Sequence, residues 1–214
     1  LCHEIASMSR QLPTLMETDL DNIQFEAGGL NHFSILLHAT YKDSGKDGYP
    51  LINKNFEGYY SDLVNDHEGF FSNAGAERGL FFELFKRYGY LPITTDSHLG
   101  EYLSWAYSVA DHDGILDFYD KYKKRCLSFF SNDGYEQFFD MSHPEPHERA
   151  IPIIESIVAD LNMLEHAVNI KNENFIECLP NDIVVEVPAI INKTGVHGKK
   201  LDNYPEPFGA LLNA

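Results

Sequence analysis

Long hydrophobic runs are missing from this sequence, and no apolar stretch is long enough to cross a bilayer. The start, Leu1-Cys2-His3-Glu4, carries neither a basic n-region nor an apolar h-region, so no secretory leader is expected. Positive charge is scarce as well. Sixteen Lys and Arg against 33 Asp and Glu give a formal net charge of −17, which argues against nucleic acid and anionic membranes as partners. Cysteine is limited to Cys2, Cys126 and Cys178, which cannot all pair and show no disulfide framework. A reducing, cytoplasmic setting is therefore expected. There is no internal repeat or low-complexity segment, and no initiator Met. With a candidate metal ligand as its second residue, the chain is expected to have lost an upstream segment.

What is present suits one substantial domain: 214 residues, 43% hydrophobic and 13% aromatic, enough for a real core. The most informative stretch is Ala27-Gly28-Gly29-Leu30-Asn31-His32-Phe33. Two glycines allow a turn or a close backbone approach, and an amide and an imidazole follow at once. Residues 23–26 alternate apolar and polar, and residues 33–40 continue as a second strand. Asn31 and His32 thus fall where a strand meets a turn. Cys2 and His32, brought together from separate elements, would make a soft-to-borderline metal site, although such pairs often coincide by chance.

Along the chain, apolar spacing predicts helices over 2–16, partly over 51–64, and over 77–90, 98–109 and 117–130. A long helix is expected over 148–168, with Ile154, Ile157, Val158, Leu161 and Leu164 inward. Further strands are expected at 175–176 and 183–188, and the residues from Pro205 look like the opening of another helix. Asp66-His67-Glu68 reads as a solvated turn. His143 and His147 are discounted as a metal pair because Pro144 and Pro146 forbid a regular helix between them. The basic cluster at Lys121, Lys123, Lys124 and Arg125 reads as an exposed face. On a 98–109 helix, His98, Glu101, Tyr102 and Trp105 would share one face. Near a helix N-terminus such a set could handle an anion or a moving proton, or it could be a buried aromatic face with one satisfied His; both readings stay open.

Four ordered motifs resemble glycoside hydrolase family 4: Leu1-Cys2-His3-Glu4-Ile5, Gly29-Leu30-Asn31-His32-Phe33, Thr94-Thr95-Asp96-Ser97-His98-Leu99-Gly100-Glu101-Tyr102, and Leu179-Pro180 through Val185-Glu186-Val187-Pro188-Ala189. The nearest likeness is to the branch acting on unphosphorylated alpha-linked sugars, and within it to alpha-galacturonidases. The resemblance implies an α+β fold like the C-terminal domain of lactate and malate dehydrogenases, with helices on mixed or antiparallel strands. It implies NAD and a divalent metal, usually manganese, as cofactors. Cys2 and His32 match the family's metal ligands, and Asn31 matches a residue beside the sugar. His3 stands where phospho-sugar members carry an Asp proposed as acid. Phospho-sugar members place a Tyr proposed as base near His98; this sequence has none there, leaving His98, Asp96 and Tyr102 as candidates.

By the same resemblance, NAD takes a hydride from C3 of the sugar, which acidifies the C2 proton. A base then removes that proton with metal assistance, and the glycosidic oxygen leaves. The expected partner is a small sugar or uronide, and the expected assembly a homo-oligomer (dimer or tetramer). The family's Gly-rich nucleotide-binding turn has no counterpart in these residues, so this chain is read as the C-terminal metal- and substrate-binding domain, truncated at its end too and expected to be inactive alone. Two other readings compete: the substrate half of a 2-hydroxy-acid dehydrogenase, and a non-catalytic binding or oligomerisation fragment.

Overall fold

The computed structural model describes residues 3–65, 77–130 and 149–214; side chains of His3, Glu4, Ala6, Ser7, Arg125 and Phe129 and of residues 62–65 lie outside that description. Cys2, the Asp66-His67-Glu68 turn and the His143/His147 pair also lie outside it. The fold is α+β, built on one antiparallel sheet.

Helix α1 (His3–Met16) buries Ile5, Met8, Leu12, Leu15 and Met16, a stripe at three- and four-residue steps. Strands β1 (Ile23–Leu30) and β2 (Phe33–Tyr41) form a hairpin in which Leu30 pairs with Phe33, leaving only Asn31 and His32 as its turn. Helix α2 (Tyr49–Asn65) packs on α1, and α3 (Gly79–Tyr88) inserts Leu80, Phe81, Leu84 and Phe85 into the same core. A one-turn α4 (Asp96–Leu99) precedes α5 (His112–Phe129), and α6 (Ala150–Ala159) leads into β3 (Met163–Lys171). Strands β4 (Val184–Asn192) and β5 (Gly195–Gly198) and helix α7 (Glu206–Leu212) follow. The sheet runs β2-β1-β4-β3, with β5 sharing with β1 the edge of β4 opposite β3.

Three sequence expectations need correction. The long helix stops at Ala159, because Asp160 and Asn162 take left-handed conformations (φ 55° and 52°) and the chain restarts as strand β3. Of the residues expected inward, Ile154, Val158, Leu161 and Leu164 are exposed, while Ile157, with Ile153, packs on Val168, Ala189 and Ile191. The helix expected over 98–109 is one α-turn and a separate 3-10 turn at Ala106–Ser108, so Trp105 does not continue the His98 face by helical geometry. Residues 175–176 are not a strand. That loop is organised by buried Asn172, whose Oδ1 accepts the Ile176 N–H and whose Nδ2 lies 3.0 Å from the Ile176, Leu179 and Pro180 carbonyl oxygens.

The segment before α4 is fastened to β2. Leu36 N–H donates to the Leu91 carbonyl (2.9 Å) and Ile93 N–H to the Ser34 carbonyl (3.1 Å). This docking carries residues 96–102 to the β1–β2 turn, far away in sequence.

Candidate functional site

The two glycines of β1 answer to close packing. A Cβ on Gly28 would lie 2.3 Å from Leu201 Cδ1 and 2.8 Å from the Glu186 carbonyl oxygen. One on Gly29 (φ 154°) would meet the Phe33 carbonyl oxygen at 2.4 Å. The turn they introduce holds His32 at φ 65°, a left-handed conformation unusual for a bulky side chain and often found at ligand sites.

His32 stacks on His98, ring centroids 4.1 Å apart and planes within 22°. Glu101 straddles both rings: one carboxylate oxygen lies 3.5 Å from His32 Nδ1, the other 3.6 Å from His98 Nδ1. Both imidazoles are about 30% exposed (28% and 30%), and Glu101 is half exposed at 52%. His98 Nδ1 is itself buried and makes no hydrogen bond among the described residues. Tyr102 donates its hydroxyl to the Asn31 carbonyl at 2.6 Å and tilts over Phe33. Partial burial, then the charges of Glu101 and Glu186, push the Tyr102 phenol above its ordinary value.

The remaining sequence candidates separate. Asp96 is buried and spent on scaffolding: its carboxylate accepts the backbone N–H groups of Leu80 (2.9 Å), Phe81 (2.9 Å) and Asp111 (2.8 Å). It therefore holds the N-terminus of α3 and the start of α5 against α4. Buried Glu77 supports the same corner, accepting Ser97 N–H at its carboxylate and Asp96 N–H at its carbonyl. Arg78 donates to the Thr94 carbonyl (2.9 Å) with its guanidinium 4.5 Å from the Phe81 ring centroid. His3 opens α1, but its side chain lies outside the description, as does Cys2.

Sequence reasoning passed over three residues beside the turn. Ser34, fully buried Glu186 and Asn169 adjoin Asn31 and Gly29; Ser34 Oγ is 2.8 Å from Glu186 Oε1, and Asn169 Nδ2 is 3.5 Å from Asn31 Oδ1. The available signal was a polar residue inside an apolar strand, Val-Val-Glu-Val and Ala-Val-Asn-Ile, since a buried polar group needs partners.

In chemical terms His32, His98 and Glu101 form a nitrogen/oxygen donor set whose ligand atoms lie within 4.8 Å of one another. Two ligands on one ion at about 2.1 Å each reach roughly 4 Å apart, so a small side-chain turn would close this set on a borderline divalent cation.

The profile described as "Family 4 glycosyl hydrolase C-terminal domain" matches residues 27–214, and the chain belongs to that family. It is 41% identical to an alpha-glucosidase of Erwinia rhapontici over all of this chain and 50% of the relative. It is 26% identical to an alpha-galacturonidase of Thermoanaerobacterium saccharolyticum over 94% of this chain and 48% of the relative. The chain thus spans about half the length of these curated relatives. Solved structures share the fold. One is a 6-phospho-alpha-glucosidase from gut microorganisms in complex with NAD and Mn2+, with TM-score 0.69 and 19% identity, covering 100% of this chain and 48% of that one. Another is the 6-phospho-beta-glucosidase of Thermotoga maritima with manganese, NAD+ and glucose-6-phosphate, with TM-score 0.63 and 18% identity, covering 100% of this chain and 48% of that one.

Proposed function

We propose that the enzyme containing this chain hydrolyses alpha-glycosides of unphosphorylated sugars with NAD and a divalent metal, manganese in our reading, and that the Asn31–His32 turn and the His98–Tyr102 segment form its metal and sugar centre. The observation that supports this most is the His32–His98–Glu101 cluster, which sets one imidazole able to ligate an ion against a second imidazole and a carboxylate. When bound, the metal supplies Lewis-acid polarisation of sugar oxygens, and the nicotinamide accepts hydride. Among the described residues none forms a Gly-rich nucleotide turn.

The chain's own residues divide the remaining work. His32, with Cys2 by family resemblance, holds the metal. Glu101 orients both imidazoles through their Nδ1 sides, as carboxylates behind metal-bound histidines commonly do. His98 takes the C2 proton, because it is half-open and sits against His32, whereas Asp96 is consumed by three backbone amides. Tyr102 fixes the Asn31 carbonyl and leaves the Asn31 amide to face the sugar. His3 is the acid by resemblance alone.

The 41% identical alpha-glucosidase supports an alpha-glucoside as the substrate. An alpha-galacturonide is the second reading, supported by the Cys2-His3-Glu4-Ile5 motif and the 26% identical relative. The test is turnover of aryl alpha-glucoside and aryl alpha-galacturonide by the intact enzyme and by residues 1–214 alone, with and without NAD and manganese. Expected are NAD- and metal-dependent turnover by the intact enzyme, faster on the glucoside, and none by residues 1–214. Intact activity without NAD would contradict the reading, and preference for the galacturonide would favour the second.

A further inference from the structure

Asn169 pairs with Glu186 across the β3–β4 ladder, and Glu186 pairs with Gly29 of β1. Directly opposed residues on neighbouring strands project to the same face of a sheet. The row therefore leads across three strands to the Asn31–His32 turn. At its near end Glu186 is fully buried, its Oε1 accepting the Ser34 hydroxyl. At its far end the Asn169 amide is half provided for. Its Nδ2 lies 3.5 Å from Asn31 Oδ1, the outer limit of a hydrogen bond, while its Oδ1 is shut off from solvent and accepts none among the described residues. The reverse amide orientation would set the Asn169 and Asn31 side-chain oxygens against each other at 3.5 Å, so Nδ2 is the end that faces Asn31.

A buried amide carbonyl without a donor is uncommon in native proteins and calls for a missing partner. His98 Nδ1 is in the same condition, and its ring stacks on His32, the residue after Asn31. Two unmet polar atoms thus adjoin one turn. A carbonyl acceptor beside the carboxylate of Glu186 suits a neutral hydroxyl donor and repels an anion.

We propose that Asn169 is a sugar-binding residue: its Oδ1 accepts a hydroxyl proton of the glycoside, and Asn169 on β3 and Asn31 in the β1–β2 turn grip the sugar as a pair. This rests on the reading that a glycoside occupies the turn. It adds a residue from β3, a strand that none of the family motifs above includes.

The test is the intact enzyme carrying Asn169→Leu, similar in shape but without an acceptor, and Asn169→Asp, which keeps one. Measured are KM and kcat on an aryl alpha-glucoside, and melting temperature without sugar. Asn169→Leu is expected to raise KM at least tenfold, to change kcat less, and to leave the sugar-free melting temperature unchanged or higher, because it removes an unpaired buried carbonyl. Asn169→Asp is expected to keep a KM below that of the Leu variant. If Asn169→Leu fails to fold, Asn169→Ala carries the same KM expectation, and collapse of both overturns the proposal by making the residue structural. A parental KM in Asn169→Leu also overturns it while leaving the proposed function standing. An intact enzyme that neither binds nor hydrolyses glycosides overturns both.

Discussion

Asp96 and Glu101 are two carboxylates on one short segment with opposite circumstances. Asp96 is buried, and three backbone amides converge on it, two from α3 and one from Asp111 just before α5. Glu101 is half exposed, its carboxylate oxygens 3.5 Å from His32 Nδ1 and 3.6 Å from His98 Nδ1. The first carboxylate builds the frame and the second has capacity to spare. Proximity in sequence to a catalytic motif therefore says little about chemistry; what the carboxylate already holds says more.

The largest effect expected from this contrast is on stability. Asp96→Asn puts an amide NH2 against backbone donors and should cost about 3 kcal/mol, since hydrogen bonds to a buried charge are lost and N–H groups go unmet. In a domain of this size that lowers the melting temperature by roughly 6–12 °C. A fall of under 2 °C, about half a kcal/mol on that scale, would mean Asp96 is not the anchor described. Glu101→Gln should behave inversely: manganese affinity drops about 10- to 100-fold, as when the partner behind a ligating histidine is removed, while melting barely moves. Equal loss of stability in the two variants would erase the distinction.

A smaller effect separates the site histidines from a structural one. His166 stacks on Phe25 with centroids 4.3 Å apart, and burial first, then Arg149, Lys42 and Lys199, hold its pKa below the ordinary histidine value. The unfolded chain then binds the proton more readily than the folded one, so this residue costs stability as pH falls below about 6.5 and nothing above it. His166→Phe keeps the stack and should flatten the decline in melting temperature between about pH 7 and pH 5. An unchanged decline would show that His166 is not a source of it.

Much of the frame was legible in the sequence because it rests on local patterns. The α1 stripe, the hairpin around Gly28-Gly29, the Ile183-to-Pro188 strand and the final helix opening all appear where periodicity and turn chemistry put them. Asn31, His32, His98, Glu101 and Tyr102 were singled out as well, and the fold brings them together at one turn. The misreadings have separate causes. Residues 150–170 are apolar enough to satisfy a helical period throughout, and the stop depends on backbone conformation at Asp160 and Asn162. Asn169 and Glu186 reach the site through strand register, which no single segment encodes. The Asp96 role was hidden because its three donors are backbone amides, invisible in side-chain patterns.

The central claim is that the stacked His32–His98 turn is the metal centre, and the direct measurement is a manganese titration of the intact enzyme and its His32→Ala variant, following the free Mn2+ signal by electron paramagnetic resonance. Suppression of the free signal in the parent and its return in His32→Ala, with both proteins melting at the same temperature, is the predicted result. Manganese bound as tightly by His32→Ala as by the parent would contradict it.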